Sequence, residues 1–79
     1  MFVYLIQSIR FPERQYVGCT SNFEQRLAEH NDGKSTATYK FRPWKCITRI
    51  WFKDPKKAAL FEIYLKSGSG RAFASRHLW

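Results

Sequence analysis

The chain is poor in acidic residues, in cysteine and in long apolar runs, and each shortage excludes a class of protein. The longest apolar stretch, Phe2–Ile6 with Met1 before it, falls far short of the roughly 18 residues needed to span a membrane. It also lacks a basic leader and a small-residue cleavage site, so no secretory signal is predicted. Cys19 and Cys46 form no C-x-x-C motif. We therefore expect free thiols and a cytoplasmic location, without a disulfide or a zinc site.

Aromatic side chains are what the sequence has in abundance, at 18% of its 79 residues. This content argues against disorder, because disordered chains lack the aromatic and branched residues that build a core. The length fits one domain, and we predict that residues 1–79 form it. Such a small chain has little room for a large enclosed cavity, so its chemistry is expected on an open face.

The positive charge lies almost entirely in the second part of the chain. The formal net charge is +8, from 14 basic and 6 acidic residues. Residues 1–32 carry three basic and four acidic residues, and residues 33–79 carry eleven basic and two acidic ones. Interleaved aromatics in the basic part are typical of a nucleic-acid surface. The plainer alternative is a solvated basic face that keeps the protein in solution.

The first half predicts a β-hairpin followed by a helix. Phe2–Ser8 and Gln15–Cys19 are rich in strand-forming residues, and the short connection between them favours antiparallel pairing. Ser21 and Glu24 fit the spacing of a capping box, with Ser21 as the N-cap. The helix is expected to end at about Asn31.

The second half predicts a strand and two helices. Residues 34–43 are polar and are expected to form an exposed connection. Lys45–Phe52 has apolar residues on both faces, which predicts a strand covered on both sides. Asp54 before a proline is a strong helix start, and a last helix is expected over Ser69–His77. The apolar stripe of the first of these helices is predicted to be Leu60, Phe61, Tyr64 and Leu65. The order β-β-α-β-α-α predicts an α+β fold with a small three-stranded antiparallel sheet flanked by helices.

Four residues in the first half could carry chemistry, and each has a plainer reading. Tyr4 and Tyr16 lie on the two hairpin strands and can face the same side, although most such tyrosines only pack. Arg26 and His30 are four residues apart, so they are neighbours on one helix face. They are either a surface pair or a guanidinium and an imidazole directed at one phosphate. Gly18 is most simply a bend or a bulge.

In the second half, Glu62 is the only acid after Asp54. It is either an edge salt bridge to Lys66 or a ligand for a divalent cation in a basic surface. The segment Ser67–Arg71 lacks the spacing of a phosphate-binding loop and is best explained as one helix ending and another beginning. The residues expected to contact nucleic acid are Lys34, Lys40, Arg42, Lys45, Lys66 and Arg71.

Together, and in this order, these motifs resemble the GIY-YIG nuclease superfamily, particularly its small stand-alone bacterial members. The resemblance covers about residues 2–75. Phe2-Val3-Tyr4 stands at the first motif and Tyr16-Val17-Gly18 at the second. Arg26-Leu27-Ala28-Glu29-His30 is similar to the arginine helix of the family, and Phe61–Gly68 to the helix with its metal-binding glutamate.

The resemblance implies a DNA endonuclease of repair or recombination that uses one divalent cation, Mg²⁺ or Mn²⁺. Tyr4 and Tyr16 would form a hydrogen-bonded phenol pair, one of them positioning or deprotonating the attacking water. Arg26 would hold the scissile phosphate, and His30 would assist in proton transfer or phosphate binding. Glu62 would anchor the metal against the leaving oxygen. The implied partner is DNA, branched or flapped, without a membrane, and the oligomeric state is left open between a monomer and a weak homodimer.

Three departures from the family pattern bear on this expectation. Phe2 and Val3 replace the glycine and isoleucine of the first motif, residues 63–79 contain no asparagine, and no lysine lies between Tyr16 and Arg26. The missing asparagine predicts feeble catalysis or an unusual substrate. The alternatives are a nucleic-acid-binding module that uses the same basic face without cutting, and a structural protein whose charge serves solubility.

Overall fold

The computed structural model describes all 79 residues, and its elements follow the predicted order. They are β1 (Phe2–Ser8), β2 (Gln15–Thr20), α1 (Phe23–Asn31), a 3-10 turn (Tyr39–Phe41), β3 (Trp44–Trp51), α2 (Pro55–Leu65) and α3 (Gly68–His77). Both strand pairings are antiparallel, which confirms the α+β fold with three strands. None of the helices combines the length and hydropathy of a membrane span.

The sheet has the order β2-β1-β3, so β1 is the central strand. Its residues Val3–Ile6 are all buried, because helices cover both faces of the sheet at this strand. The expectation that β3 is covered on both sides was wrong. β3 lies at an edge, and Trp51 at its end is 60% exposed. Of its apolar side chains, Trp44 is buried in the core, whereas Trp51 only contacts the Phe2 ring edge-on with centroids 5.1 Å apart.

Alternation along β1 divides the core into two clusters on opposite faces of the sheet. One face carries Val3 and Leu5 and is covered by α2 and α3. The other carries Tyr4 and Ile6 and is covered by α1. The first cluster consists of Val3, Leu5, Ala58, Leu65 and Ala74, and the second of Tyr4, Ile6, Phe23 and Trp44. One candidate tyrosine is therefore part of the core.

The apolar stripe predicted for α2 is only partly correct. Ala58 and Leu65 are buried, whereas Leu60 is 66% exposed and Tyr64 39% exposed. At 3.6 residues per turn, Leu60 points about 160° around the helix from Ala58, so the two cannot face the same core. Phe61 does pack inward, with its ring 5.4 Å from that of Phe52.

The connection between α1 and β3 is not simply exposed, contrary to expectation. Ser35 and Thr38 are buried, and the Trp44 indole donates a hydrogen bond to the Thr38 carbonyl at 2.9 Å. These contacts fold residues 34–43 back over α1. The segment then enters β3 through a cis peptide bond between Arg42 and Pro43.

The N-cap of α1 is Asn22, so the predicted capping box at Ser21 was wrong. The Asn22 side chain accepts a hydrogen bond from the Gln25 backbone N–H at 3.2 Å. Glu24 instead pairs with Arg49 of β3 at 2.8 Å. In α2 the expected cap is confirmed, because the Asp54 side chain accepts from the Lys56 backbone N–H at 2.9 Å.

Asn22→Ala is expected to lower the free energy of unfolding by about 1 kcal/mol, since it leaves a helix N–H without its partner. Ser21→Ala, one residue away, should change it by less than about 0.5 kcal/mol. Urea denaturation of both variants checks this. A larger loss at Ser21 than at Asn22 would contradict the observed cap.

Candidate active site

A buried chain of hydrogen bonds runs from β1 through α1 to the segment before β3. The Tyr4 hydroxyl and His30 Nε2 are 2.9 Å apart, and His30 Nδ1 and the Thr38 hydroxyl are 2.6 Å apart. The expected hydrogen bond between Tyr4 and Tyr16 is therefore not formed. Tyr16 lies diagonally across the sheet, with its ring centroid 6.3 Å from that of Tyr4 and 5.2 Å from that of His30.

Gly18 is the residue that makes room for Tyr4. The two face each other in the regular β1–β2 ladder, so the bend or bulge expected at Gly18 was wrong. The one irregularity in register lies elsewhere, between Leu5 and Ile6 on the β3 side. A Cβ atom at position 18 would overlap the Tyr4 hydroxyl and its ring carbon. The glycine is needed because the phenol ring lies directly over the backbone of β2.

Arg26 forms the solvent-facing side of this cluster. Its guanidinium donates to Glu29 at 3.0 Å, and about a third of its side chain is exposed. Glu29 and the neighbouring Tyr4 hydroxyl raise the pKa of Arg26. Burial raises the pKa of Tyr4, while the nearby Arg26 cation opposes that shift. The Tyr4 phenol is therefore protonated at neutral pH and available as a hydrogen-bond donor.

His30 is enclosed completely, with no exposed surface. Burial and the Arg26 cation lower its pKa to about 4, so the ring is neutral at pH 7. A neutral imidazole has one donor and one acceptor nitrogen, and here both are engaged. In this arrangement neither nitrogen is free to bind a phosphate directly. A proton-transfer role can act only through Tyr4 or Thr38.

The fold should lose stability in acid because His30 must charge on unfolding. In the unfolded chain the ring has a pKa of 6.5 and is protonated below that pH, whereas in the folded protein it stays neutral down to about pH 4. The free energy of unfolding should thus fall as the pH drops from about 6.5 to about 4, by up to about 3 kcal/mol. Urea denaturation across this range measures the slope.

His30→Gln, which keeps a donor and an acceptor, should flatten that part of the curve. The pKa values of Glu24 and Glu29 are lowered by hydrogen bonds to Arg49 and Arg26. Their contributions are lost from about pH 4.5, the unfolded value, downward, so the slope between pH 6.5 and about 5 belongs to His30. An unchanged slope in His30→Gln would contradict the assignment.

Glu62 lies on α2, across the edge of β2 from the tyrosines. Its carboxylate accepts from the Lys66 ammonium at 3.2 Å, which is the salt bridge given above as the alternative. Burial and, secondarily, the Glu62 carboxylate raise the pKa of the Cys19 thiol, so Glu62 faces β2. The Lys66 ammonium is 5.9 Å from the Tyr16 ring centroid. Lys66 thus connects Glu62 with Tyr16.

The donor set at Glu62 fits only a sparsely ligated cation. The structure contains no group of three or more His, Cys, Asp or Glu side chains that could hold a metal. Mg²⁺ is commonly bound by one or two carboxylates together with water and substrate phosphate oxygens. Glu62, which is partly exposed and beside a basic surface, fits such a site.

A model of the GIY-YIG catalytic domain matches residues 1–74. The chain belongs to the GIY-YIG family. It is 35% identical to the structure-specific endonuclease subunit SLX1 of Debaryomyces hansenii, over 96% of the chain and 23% of that protein. It is 34% identical to the same subunit of Candida dubliniensis, over 96% of the chain and 28% of that protein. The chain thus spans about a quarter of the length of these curated relatives. No solved structure matches it at a comparable level of significance.

The GIY-YIG assignment confirms the family predicted from the motifs. Both relatives are yeast proteins, so the comparisons give no support to the expected likeness to bacterial members. Tyr4, expected at the first motif, lies on the central strand, and Arg26, expected on the arginine helix, lies on α1. Lys66 links Glu62 of α2 to Tyr16 on the edge strand β2.

The six basic residues predicted to contact nucleic acid fall into two groups along this GIY-YIG chain, four between the end of α1 and the start of β3 and two at the end of α2 and in α3. Arg42 lies over Gly33 and donates to the Tyr39 carbonyl, which places it at the 3-10 turn with Lys40. Lys66 and Arg71 lie instead beside Tyr16, where they line a pocket. The first group comprises Lys34, Lys40, Arg42 and Lys45, all exposed.

Two residues that matter to the cluster were not among the site residues predicted from the sequence. Thr38 holds the second nitrogen of His30, and Glu29 fixes the Arg26 guanidinium. The signal for Glu29 was present, since it lies three residues after Arg26 on the same helix. No pattern identifies Thr38, because its contact depends on how residues 34–43 fold over α1.

Proposed function

We propose that this GIY-YIG chain is a metal-dependent endonuclease domain that hydrolyses phosphodiester bonds in DNA. The observation that carries the proposal is the juxtaposition of an exposed guanidinium, Arg26, with the buried Tyr4–His30 pair. Cations positioned where charge develops are a major source of stabilisation in phosphoryl transfer. The family and the two relatives, which are structure-specific endonuclease subunits, support this class, and the substrate we propose is branched or flapped DNA.

Each residue of the cluster takes the role that its exposure allows. Arg26 holds the scissile phosphate and stabilises its developing negative charge. Tyr16, half-buried at the sheet edge, orients the attacking water through its hydroxyl. Tyr4 stays protonated and, with His30 Nε2 donating to its oxygen, directs its own O–H toward the site, while His30 positions the phenol from behind.

Glu62 is the proposed ligand of the divalent cation, Mg²⁺ or Mn²⁺. When bound, the cation supplies Lewis-acid stabilisation of the leaving oxygen. Lys66 neutralises the Glu62 carboxylate in the structure and lies beside Tyr16. The Lys66 ammonium is therefore positioned to pair with a phosphate that binds in the site.

The decisive experiment incubates the protein with plasmid and branched DNA, with and without Mg²⁺ or Mn²⁺. Cleavage is expected only with metal. Glu62→Gln should reduce it by about 10³-fold or more, because the amide removes the charge that holds the cation. Glu24→Gln, an exposed acid on α1 outside the cluster, is the matched control and should cleave normally. Cleavage without metal, or by Glu62→Gln at the normal rate, would contradict the mechanism.

A non-catalytic DNA-binding module is the second candidate, and two observations favour it. Glu62 is already paired with Lys66, and residues 63–79 contain no asparagine. This candidate predicts DNA affinity that falls steeply with salt concentration, together with no cleavage under any metal. The same assay, with binding measured alongside, separates the two.

A further inference from the structure

A pocket of about 570 Å³ opens at the free edge of β2, beside the candidate active site. β2 has no strand on its outer side, and the pocket lies between this edge and the ends of α2 and α3. Two of its lining residues, Tyr16 and Lys66, also belong to the cluster described above. A ligand in the pocket would therefore be continuous with a phosphate at the active site.

The floor of the pocket is apolar. It is formed by Val17, Leu65 and Trp79, which pack into the core cluster between the sheet and the two helices. Leu65 is almost fully buried, whereas Val17 and Trp79 keep part of their surface open. An indole with an open part beside two aliphatic side chains is suited to the flat face of a nucleobase.

The walls carry polar groups of two kinds. Arg71 and Lys66 supply positive charge, and Arg71 has no acidic partner in the structure. Glu13 and Gln15 lie on β2 and the loop before it, and they offer hydrogen-bonding groups. Cations beside Tyr16 suit a phosphate, and a carboxylate with an amide suits the polar edge of a base.

We propose that this pocket binds one unpaired nucleotide of the DNA strand, next to the phosphate held by Arg26. The proposal rests on the proposed function and specifies how the substrate is recognised. The volume is in the range of pockets that enclose small ligands. A base can lie on Val17 and Trp79 only if it has left the stack and its partner, so a fully paired nucleotide does not fit.

The test measures binding rather than cleavage. It uses the Glu62→Gln protein without metal and three fluorescent duplexes, which carry one extrahelical base, an abasic residue at that position, or no interruption. The extrahelical base should bind about tenfold more tightly than the abasic site, which is the range of one base–aromatic stack. Equal affinity for these two DNAs would overturn the proposal. Full competition by a free deoxynucleoside monophosphate at equal concentration would overturn it as well.

Variants locate the effect in the pocket. Trp79→Ala should abolish the preference for the extrahelical base and leave the affinity for the uninterrupted duplex unchanged. Because Trp79 also contributes to the core, Ser75→Trp provides a second variant, which fills the pocket from the exposed surface of α3. Arg76→Ala, on the same helix but outside the lining, is the control and should retain the preference. A preference that survives both pocket variants would contradict the assignment.

The binding result is independent of the cleavage result. If the wild-type protein cuts DNA but shows no preference for the extrahelical base, the pocket proposal fails and the proposed function stands. If the preference is present but no metal supports cleavage, the endonuclease function fails and a binding site for unpaired nucleotides remains.

Discussion

Arg26→Ala is expected to lower the kcat of DNA cleavage by about 10²–10³-fold, the usual effect of removing one preorganised donor. Arg26 is the charged group closest to the Tyr4 hydroxyl and reaches solvent from the cluster. The basic residues around the 3-10 turn remain, so KM should change far less than kcat. Arg26→Lys should restore only part of the rate, because a point charge does not reproduce the two-pronged contact of a guanidinium with a phosphate.

Arg49→Ala is the matched control for this variant. Arg49 also forms an exposed ion pair, with Glu24 at 2.8 Å. It faces Tyr4 in the β1–β3 ladder, but its guanidinium lies over the Phe2 and Phe23 rings. Exposed pairs of this kind contribute about 1 kcal/mol or less to stability, so both proteins should remain folded. Single-turnover cleavage and urea denaturation separate the two effects. If Arg49→Ala lost as much activity as Arg26→Ala, a specific role for Arg26 would be excluded.

Gly18→Ala is expected to damage both stability and activity. The new Cβ overlaps the Tyr4 hydroxyl, and Tyr4 cannot yield freely because it is buried against Phe23 and bonded to His30. Overpacking of this kind costs about 1–3 kcal/mol. The displaced phenol also loses its position relative to Arg26, so the remaining folded protein should cleave at least about tenfold more slowly.

Gly68→Ala is the control for this substitution. A Cβ at Gly68 meets nothing within 4 Å, and the residue begins α3. Alanine there should leave stability unchanged or raise it by about 0.4–1 kcal/mol. Denaturation curves of the two proteins, with cleavage rates normalised to the folded fraction, provide the comparison. Equal stability of the two variants would show that Tyr4 does not need the space at position 18.

Local chemistry was enough to predict most of the fold. β1 and the helix that begins after Asp54 are encoded by neighbouring residues, and the Glu62–Lys66 pair follows from a spacing of four on a helix. The cap of α1 was wrong by one residue, because Ser21 and Asn22 are both good caps and only the backbone decides between them. The position of β3 at an edge depends on strand order, which its own composition does not encode.

The candidate site was likewise predictable only in part from the sequence. The motif resemblance predicted Tyr4, Arg26 and Glu62 as members of one site without any geometry, and that grouping stays a prediction. The hydrogen-bond partner of His30 at Nδ1 could not be predicted, because Thr38 contacts the ring only after the polar segment folds back over α1. The absence of a hydrogen bond between the two tyrosines could not be foreseen either, since it follows from the diagonal register of β1 and β2.

The enclosure of Tyr4 and His30 has a consequence for how such a protein can evolve. Both are fixed by folding as well as by chemistry, whereas Arg26 and Glu62 keep contact with solvent. In a library of all single substitutions, inactive variants at positions 4 and 30 should also be present at low levels in the cell, because they are less stable. Inactive variants at positions 26 and 62 should be present at normal levels. A lineage that abandons catalysis would therefore retain its tyrosine and histidine long after its arginine and glutamate had drifted. In such a lineage a retained tyrosine motif would indicate only that the fold is kept. Retention of the arginine and the glutamate would indicate that the proposed catalytic activity is kept.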